Sequence, residues 1–408
     1  MDLQEDLLDL YKVVSTYPAI DNHTHALLKE EHRDAVPFEG LISEATGPAL
    51  TEDAIHTLAC YRAAAQLGKL LGLGETAEWE DVKRARSAMD YDHLCRTFME
   101  PTKIQCVLID DGLGTRDIVY DYKWHDRFTT SPTKRIVRVE IVAEDILKDL
   151  MDAQLAAGGV QTRALMQSFS ETLASELTAS ASDPEVAGFK SIACYRTGLD
   201  VAVNPGWADI EVCLVTAALR YESTKRLRLS DKALNDFVVN TTMRIAGEFE
   251  KPVQFHTGLG DNDITLAKSS PSHMQPLIKA YPMTTIVLLH SSYPYTQEAG
   301  YLAAVYRNVY LDFGEVFPFV SAEGQRQIVR QVLELCPTNK IMWSTDGHFW
   351  PESYYLGTIQ ARQALYQVLE AFMKQRELTL AQATSIVKRA FFENANRIYK
   401  LELQPHVM

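Results

Sequence analysis

Short apolar runs recur along this chain, separated by stretches of helical periodicity, and that alternation restricts the fold more than any other feature. The runs are Ala19-Ile20-Asp21, Ile104–Ile109, Arg135–Val139, Val186–Cys194, Pro252–Phe255, Thr285–Leu289, Asn308–Phe313 and Lys340–Ser344. Between the later runs lie EDILKDLMDAQLAA, IEVCLVTAALRYESTKRL, DKALNDFVVNTTMRIAGEF, EAGYLAAVY, EGQRQIVRQVLEL and a long stretch from Tyr354 to Lys374. Short apolar strands alternating with amphipathic helices are joined as parallel neighbours by helical crossovers, because parallel strands cannot share a tight hairpin. Eight such runs predict a closed (β/α)8 TIM barrel over an open doubly wound sheet. No GxGxxG or GxxxxGK[ST] opens a helix, so the open-sheet alternative lacks a phosphate cradle.

One connection breaks the pattern. Residues 28–101 separate the first two runs and include TEDAIHTLACYRAAAQLGKLLG, where Ala, Leu and Ile fall at helical spacing behind Thr51 and an acidic first turn. A connection of that length reads as a helical lid inserted after the first strand of a single barrel, residues 1–408. No repeat, low-complexity tract or Gly/Ser linker marks a second domain. The net charge of -14, from 40 basic against 54 acidic residues, opposes binding to nucleic acid or anionic membrane without excluding a small anionic substrate held by local cations, and a small-molecule substrate is the expected partner. No segment approaches the ~18–20 apolar residues of a membrane span. The start, MDLQEDLLDLYKVV, carries acids where a secretory signal carries Lys or Arg. Six scattered cysteines (Cys60, Cys95, Cys106, Cys194, Cys213, Cys336) without a CxxC read as reduced thiols of a cytoplasmic protein.

In a barrel, chemistry collects where strands end. His23 and His25 follow the first run as DNHTH, His256 ends PVQFH, His290 ends TIVLLH and Asp346 ends KIMWSTD. An i, i+2 pair on an extended strand sends both imidazoles to one side, so His23 and His25 can chelate one ion. A single histidine at a strand end is more often a hydrogen-bonded loop residue, and HxH alone is a weak signal. Four strand ends bearing His or Asp in one barrel pattern make metal binding the better explanation.

That set of strand ends resembles the metal-dependent amidohydrolase superfamily. FHTGLGDNDI, VLLHSSYPYTQEAGYLAAVYRNVYLDFGEVFP and WSTDGHFWPESYYLG are similar, more narrowly, to the amidohydrolase-like part of fungal FluG-type proteins and plant nodulin–glutamine synthetase fusions. The likeness covers most of the chain and is strongest from about Val186 to Leu401; the glutamine synthetase portion has no counterpart in this sequence. The resemblance implies that His23, His25, His256 and Asp346 bind a divalent metal. Zinc suits such ligands best, with Mn or Fe compatible. It also implies that Asp346 acts as general base and that His290 polarises the substrate or stabilises an oxyanion.

Two-metal members carry a carboxylated lysine at the end of strand four, and Lys190 lies in the matching strand, so Lys190 and His290 are the candidate ligands of a second metal. An apolar continuation through SIAC, however, carries the strand beyond Lys190 and leaves the lysine low in the barrel, paired with an acid such as Glu140. One metal is therefore expected. Arg196 and Tyr195 then reach the active-site end, where Arg196 clamps a substrate carboxylate or pairs with a loop acid. Arg138 and Glu140 are further candidates for the mouth, His348 for a substrate contact and Trp350 for shaping the pocket, with Trp343 in the core. Glu298 either orients a ligand histidine or forms a surface ion pair, and His56 and His93 merely decorate the insertion.

The chemistry implied is attack of a metal-activated water on an amide or related C–N bond of a small carboxylate-bearing substrate, a γ-glutamyl amide being one form. Nonoxidative decarboxylation of a small carboxylic acid is the alternative, and a catalytically silent metal-binding scaffold the second. Barrels of this type often pair through exposed helices, so a homodimer is open.

Overall fold

In a computed structural model, residues 3–407 are described; Met1, Asp2 and Met408, which belong to the terminal stretches read above, lie outside the described residues. Eight parallel strands lie in sequence order: β1 Ala19–Thr24, β2 Ile104–Asp110, β3 Lys134–Arg138, β4 Val186–Ser191, β5 Val253–Phe255, β6 Ile286–Leu288, β7 Val309–Asp312 and β8 Ile341–Met342. The cylinder closes between the last strand and the first, where Asn22 N donates to Trp343 O at 3.3 Å and Asp346 N donates to His23 O at 3.1 Å. The expected barrel is the fold.

Strand side chains alternate between two apolar layers. Val107, Ile109, Val137, Phe189, Val253, Phe255, Ile286, Leu288 and Leu311 pack outward beneath the helices. Ile20, Cys106, Leu108, Ile136, Ala187, Val287 and Met342 form the second layer, plugged at the N-terminal end by Tyr17, Phe392, Ala395 and Tyr399. The open end, where strands give way to loops, is left to polar residues.

Three expectations about elements are corrected. First, β4 stops at Ser191 instead of continuing to Cys194, and Ala193–Arg196 coil into a helical turn. Ser191 Oγ causes the stop, donating to Glu140 Oε1 at 2.7 Å while accepting from Ala193 N at 3.2 Å. Second, the helix Thr162–Ser182, rich in Ser, Thr and Ala, is absent from the runs read from sequence; its inward row is Leu165, Phe169, Leu173, Leu177 and Ala181. That single row is too thin to dominate the periodicity of so polar a stretch. Third, the insertion helix opens at Thr57, whose Oγ1 accepts from Cys60 N at 3.1 Å, and spans Leu58–Leu70, whereas Ala49–His56 form tighter and wider turns.

The insertion also contains helices Trp79–Ser87 and Tyr91–Met99. It leans on the long helix Pro351–Lys374 through Arg86 Nε to Glu352 Oε1 at 2.6 Å and through Gln360 Nε2 to Gln66 Oε1 at 2.8 Å. Of its side chains, Glu44 alone lines the cavity at the barrel mouth.

Candidate metal centre

The site is assembled by the turns that follow the strands. β1 carries His23, and His25 follows one residue past its end, their ring centroids 5.0 Å apart. The turns after β6, β7 and β8 are different: His290 (φ 68°), Glu315 (φ 61°) and Asp346 (φ 52°) all occupy left-handed backbone. Non-glycine residues adopt that region at a cost of about 1–3 kcal/mol, so surrounding structure must enforce it. Two buried aspartates do so. Asp312 accepts from Asn22 Nδ2 (2.7 Å), Gly314 N (2.8 Å), Ser344 Oγ (2.9 Å) and His290 N (3.4 Å). Asp21 accepts from Thr345 N at 2.9 Å and from the Thr345 hydroxyl. Burial raises the pKa of both, Asp312 to about 6.

Asp346 Oδ1 lies 3.1 Å from His23 Nε2 and 3.3 Å from His25 Nε2. The Lys190 ε-nitrogen is 3.1 Å from the same His23 Nε2. The orientation of His23 follows from its other side. Gln254 Nε2 donates to Asn22 O and to Tyr399 Oη, each at 2.7 Å, so Gln254 Oε1 faces His23 Nδ1 at 2.9 Å as an acceptor. His23 therefore carries its proton on Nδ1, and the Nε2 lone pair points into the site. His25 is set the same way, Nδ1 lying 3.0 Å from Asp110 O. The Asp110 carboxylate is taken by Arg138, at 2.7 Å from Nη2 and 3.0 Å from Nε.

His290 sits between His23 and His256, edge-on to the first and tilted to the second, with centroids 5.4 and 4.3 Å away. Its Nδ1 lies 3.3 Å from Glu315 Oε2. Three groupings bring ligand atoms within coordination reach of one another: His23, His290 and Asp346; His23, His25 and Asp110; and His256, His290 and Glu315. His256 thus joins the centre through His290 rather than by meeting the β1 pair directly, and its Nε2 lies 2.7 Å from Leu259 O.

The electrostatics agree with a cation site. Burial and the Lys190 charge take His23 down to about 4, and burial also takes His256 and His290 well below the ordinary histidine range. Burial pushes the Asp346 carboxyl upward, while a proton on any of His290, His23 or His25 pulls it below its usual value. Burial lowers Lys190 to about 8, while burial and the Asp346 charge drive Glu315 well up. Both ring nitrogens of His290, Asp346 Oδ1 and Glu315 Oε2 are buried without a hydrogen-bond partner. Neutral imidazoles and carboxylates converging with unsatisfied lone pairs are the donor set a divalent cation requires, so these residues fit one.

The centre floors a cavity of about 340 Å³, walled by Arg138, Tyr195, Arg196, His348, Phe349 and Asp261 among others. The early end of β4 reverses the placement expected for Lys190. Instead of sitting low against Glu140, it reaches the centre, and Glu140 holds Ser191. Tyr195 and Arg196 reach the mouth on the helical turn, Tyr195 with its ring 4.3 Å from His256. Arg196 Nη2 is 3.2 Å from Glu144 Oε1, and its Nε is unpartnered. His348 Nδ1 lies 3.0 Å from Asp346 O, and Trp350 is buried behind it at 5.8 Å. Trp343 is core, as expected. Glu298 accepts from the Ser270 hydroxyl and orients no histidine. His56 and His93 are exposed on the insertion. Sequence reading missed Glu315, Gln254, Glu44 and Asp312. The acid ending NVYLDFGE was the available signal for Asp312 and Glu315; nothing local marks Gln254 or Glu44.

A barrel with this centre is an amidohydrolase-type enzyme, and the chain belongs to that family: the Amidohydrolase family model (Amidohydro_2) matches residues 136–401. It is a metal-dependent, hydrolase-type enzyme of the amidohydrolase-related superfamily. The protein fluG of Emericella nidulans is 42% identical over 416 aligned residues, covering 98% of this chain and 47% of the relative, so the chain spans about half the length of the curated relative it matches. Among solved structures, a candidate metal-dependent hydrolase from Lactobacillus casei is similar at TM-score 0.80 and 25% identity, covering 96% of this chain and 98% of that one. A uronate isomerase from Bacillus halodurans shares the fold at TM-score 0.67 and 12% identity, with 98% and 97% covered. Among the described residues no helix is long and apolar enough to cross a membrane.

Proposed function

We propose that this chain hydrolyses an amide or related C–N bond of a small carboxylate-bearing molecule, a γ-glutamyl amide in its simplest form. The observation that supports this reading best is the ionised Asp346 carboxylate set 3.1–3.3 Å from two imidazole lone pairs at the floor of an open cavity. His23, His25 and Asp346, with His256 joined through His290, hold one divalent cation, zinc before Mn or Fe. Lys190, as an uncarboxylated ammonium beside His23, supplies the positive charge a second metal would bring. A bound cation acidifies water and polarises a carbonyl oxygen.

The protein groups do the rest. Asp346 accepts the proton of the attacking water and returns it to the leaving nitrogen. His290, with both ring nitrogens free, donates to the carbonyl oxygen as negative charge grows there. Arg196 binds the substrate carboxylate at the mouth, and Tyr195 and His348 border the scissile group. The six free cysteines accord with a reducing, cytoplasmic setting.

The test is metal analysis of purified protein followed by product analysis on a panel of amides. One cation per chain with ammonia or amine release supports the reading. Carbon dioxide release from carboxylic acids replaces hydrolysis with decarboxylation, and metal without any turnover leaves a scaffold.

A further inference from the structure

The insertion sends a single side chain into the cavity, and that side chain is chemically out of place. Glu44 faces Asp261, Asp346 and His348. Its carboxylate makes no hydrogen bond or ion pair with any described residue. Three other charges of this mouth are matched: Arg138 is held by Asp110, Arg196 leans on Glu144, and Asp263 is paired with Arg228 at 2.8 Å. A half-buried carboxylate set beside other carboxylates is destabilised unless a cation meets it.

The matching cation does not come from the protein. Lys190 is engaged with His23 and Arg138 with Asp110, and Arg196, which leans on Glu144 through one nitrogen, is not among the charges that act on Glu44. The space in front of Glu44 belongs to the same cavity of about 340 Å³ that the metal centre floors, so a substrate seated there passes it.

We propose that Glu44 recognises a positively charged nitrogen on the substrate, so that the substrates are small amides carrying an ammonium group as well as a carboxylate. This rests on the hydrolase reading for its reaction but not for its recognition. The mouth is then dipolar, with Arg196 for the anionic end and Glu44, backed by Asp261, for the cationic end. Selectivity between otherwise identical amides depends on a residue contributed by the insertion rather than by the barrel.

The experiment uses the metal-loaded enzyme, wild type and Glu44→Gln, with γ-glutamyl methylamide and its des-amino analogue, glutaric acid monomethylamide. Turnover and calorimetric binding are both measured. The wild type is expected to favour the amino-bearing amide at least tenfold in kcat/KM. Glu44→Gln is expected to erase that preference by raising KM for the amino-bearing amide alone, the des-amino compound serving as control for folding. Equal use of both amides by the wild type, or an equal loss on both in the variant, overturns the inference while the hydrolase reading stands. If neither amide is hydrolysed, the hydrolase reading fails for this class and binding decides: tighter binding of the amino-bearing ligand to wild type only supports recognition by Glu44. Equal binding, or none, overturns it.

Discussion

Buried charge is handled in opposite ways in the two halves of this molecule. Inside the insertion the deeply buried ions Arg86 and Glu39 each meet an opposite charge, although Arg86 Nη2 and Glu352 Oε2 are left without a hydrogen bond. Arg86, 2% exposed, meets Glu352, fully buried, and stacks over Phe38 at 4.2 Å. Glu39 is held by Lys83 at 2.7 Å and by the Trp79 indole at 3.1 Å. At the barrel mouth Asp346, Glu315 and His290 have buried polar atoms without a hydrogen-bond partner, and the half-buried Glu44 has no ion pair. Paired charge orients a scaffold; unpaired charge marks where something other than protein completes the structure.

That contrast breaks most sharply under substitution. Asp346→Asn is expected to lower turnover by about 10³-fold or more, with the melting temperature of the metal-free protein little changed, measured by steady-state kinetics alongside calorimetry. Arg86→Met is the mirror image. Leaving Glu352 buried alone costs about 3–5 kcal/mol of stability, read by denaturant unfolding, while activity per folded molecule is retained. A variant that kept its stability and lost turnover would put Arg86 in the site and dissolve the distinction.

A smaller effect sharpens the comparison within the centre itself. Gln254→Leu removes the acceptor for His23 Nδ1, and metal affinity is expected to fall about 10–100-fold, with Tyr399→Phe weaker in the same direction. Competition with a chelator measures both. The smallest effect lies at the N-terminal rim of the barrel, where Glu185 is gripped by Lys123 and by Lys134 at 2.9 Å. Those lysines hold its carboxyl down at about 2. The stabilisation is present above the ordinary glutamate pKa and is lost as pH falls from about 4.5 toward 2. Half-exposed and screened, it amounts to less than about 1 kcal/mol. Glu185→Gln should therefore melt slightly lower than wild type at pH 7 and indistinguishably near pH 2.

The barrel and most of the candidate ligands gathered at its mouth were legible because both follow from local pattern. Eight apolar runs each became a strand, and His23, His25, His256, His290 and Asp346 stood at their ends. What escaped depended on tertiary contacts. SIAC is as apolar as a strand, yet Ser191 turns toward Glu140 and ends β4 there, a contact between residues distant in sequence. Lys190 was misplaced with it. Gln254 sits inside a strand like any alternating residue, and only Tyr399, brought up from the far end of the chain, reveals that its amide is aimed. Glu44 has no periodicity around it at all, since Ser43–Gly47 form neither helix nor strand.

Tyr399 carries a consequence of its own. The phenol enters from the floor of the cylinder and hands its orientation, through one amide, to an imidazole on the opposite side of the core. Cutting the tail back past that ring would leave every ligand in the sequence and still untune the lock, because the tumbler that holds the first histidine upright would be gone.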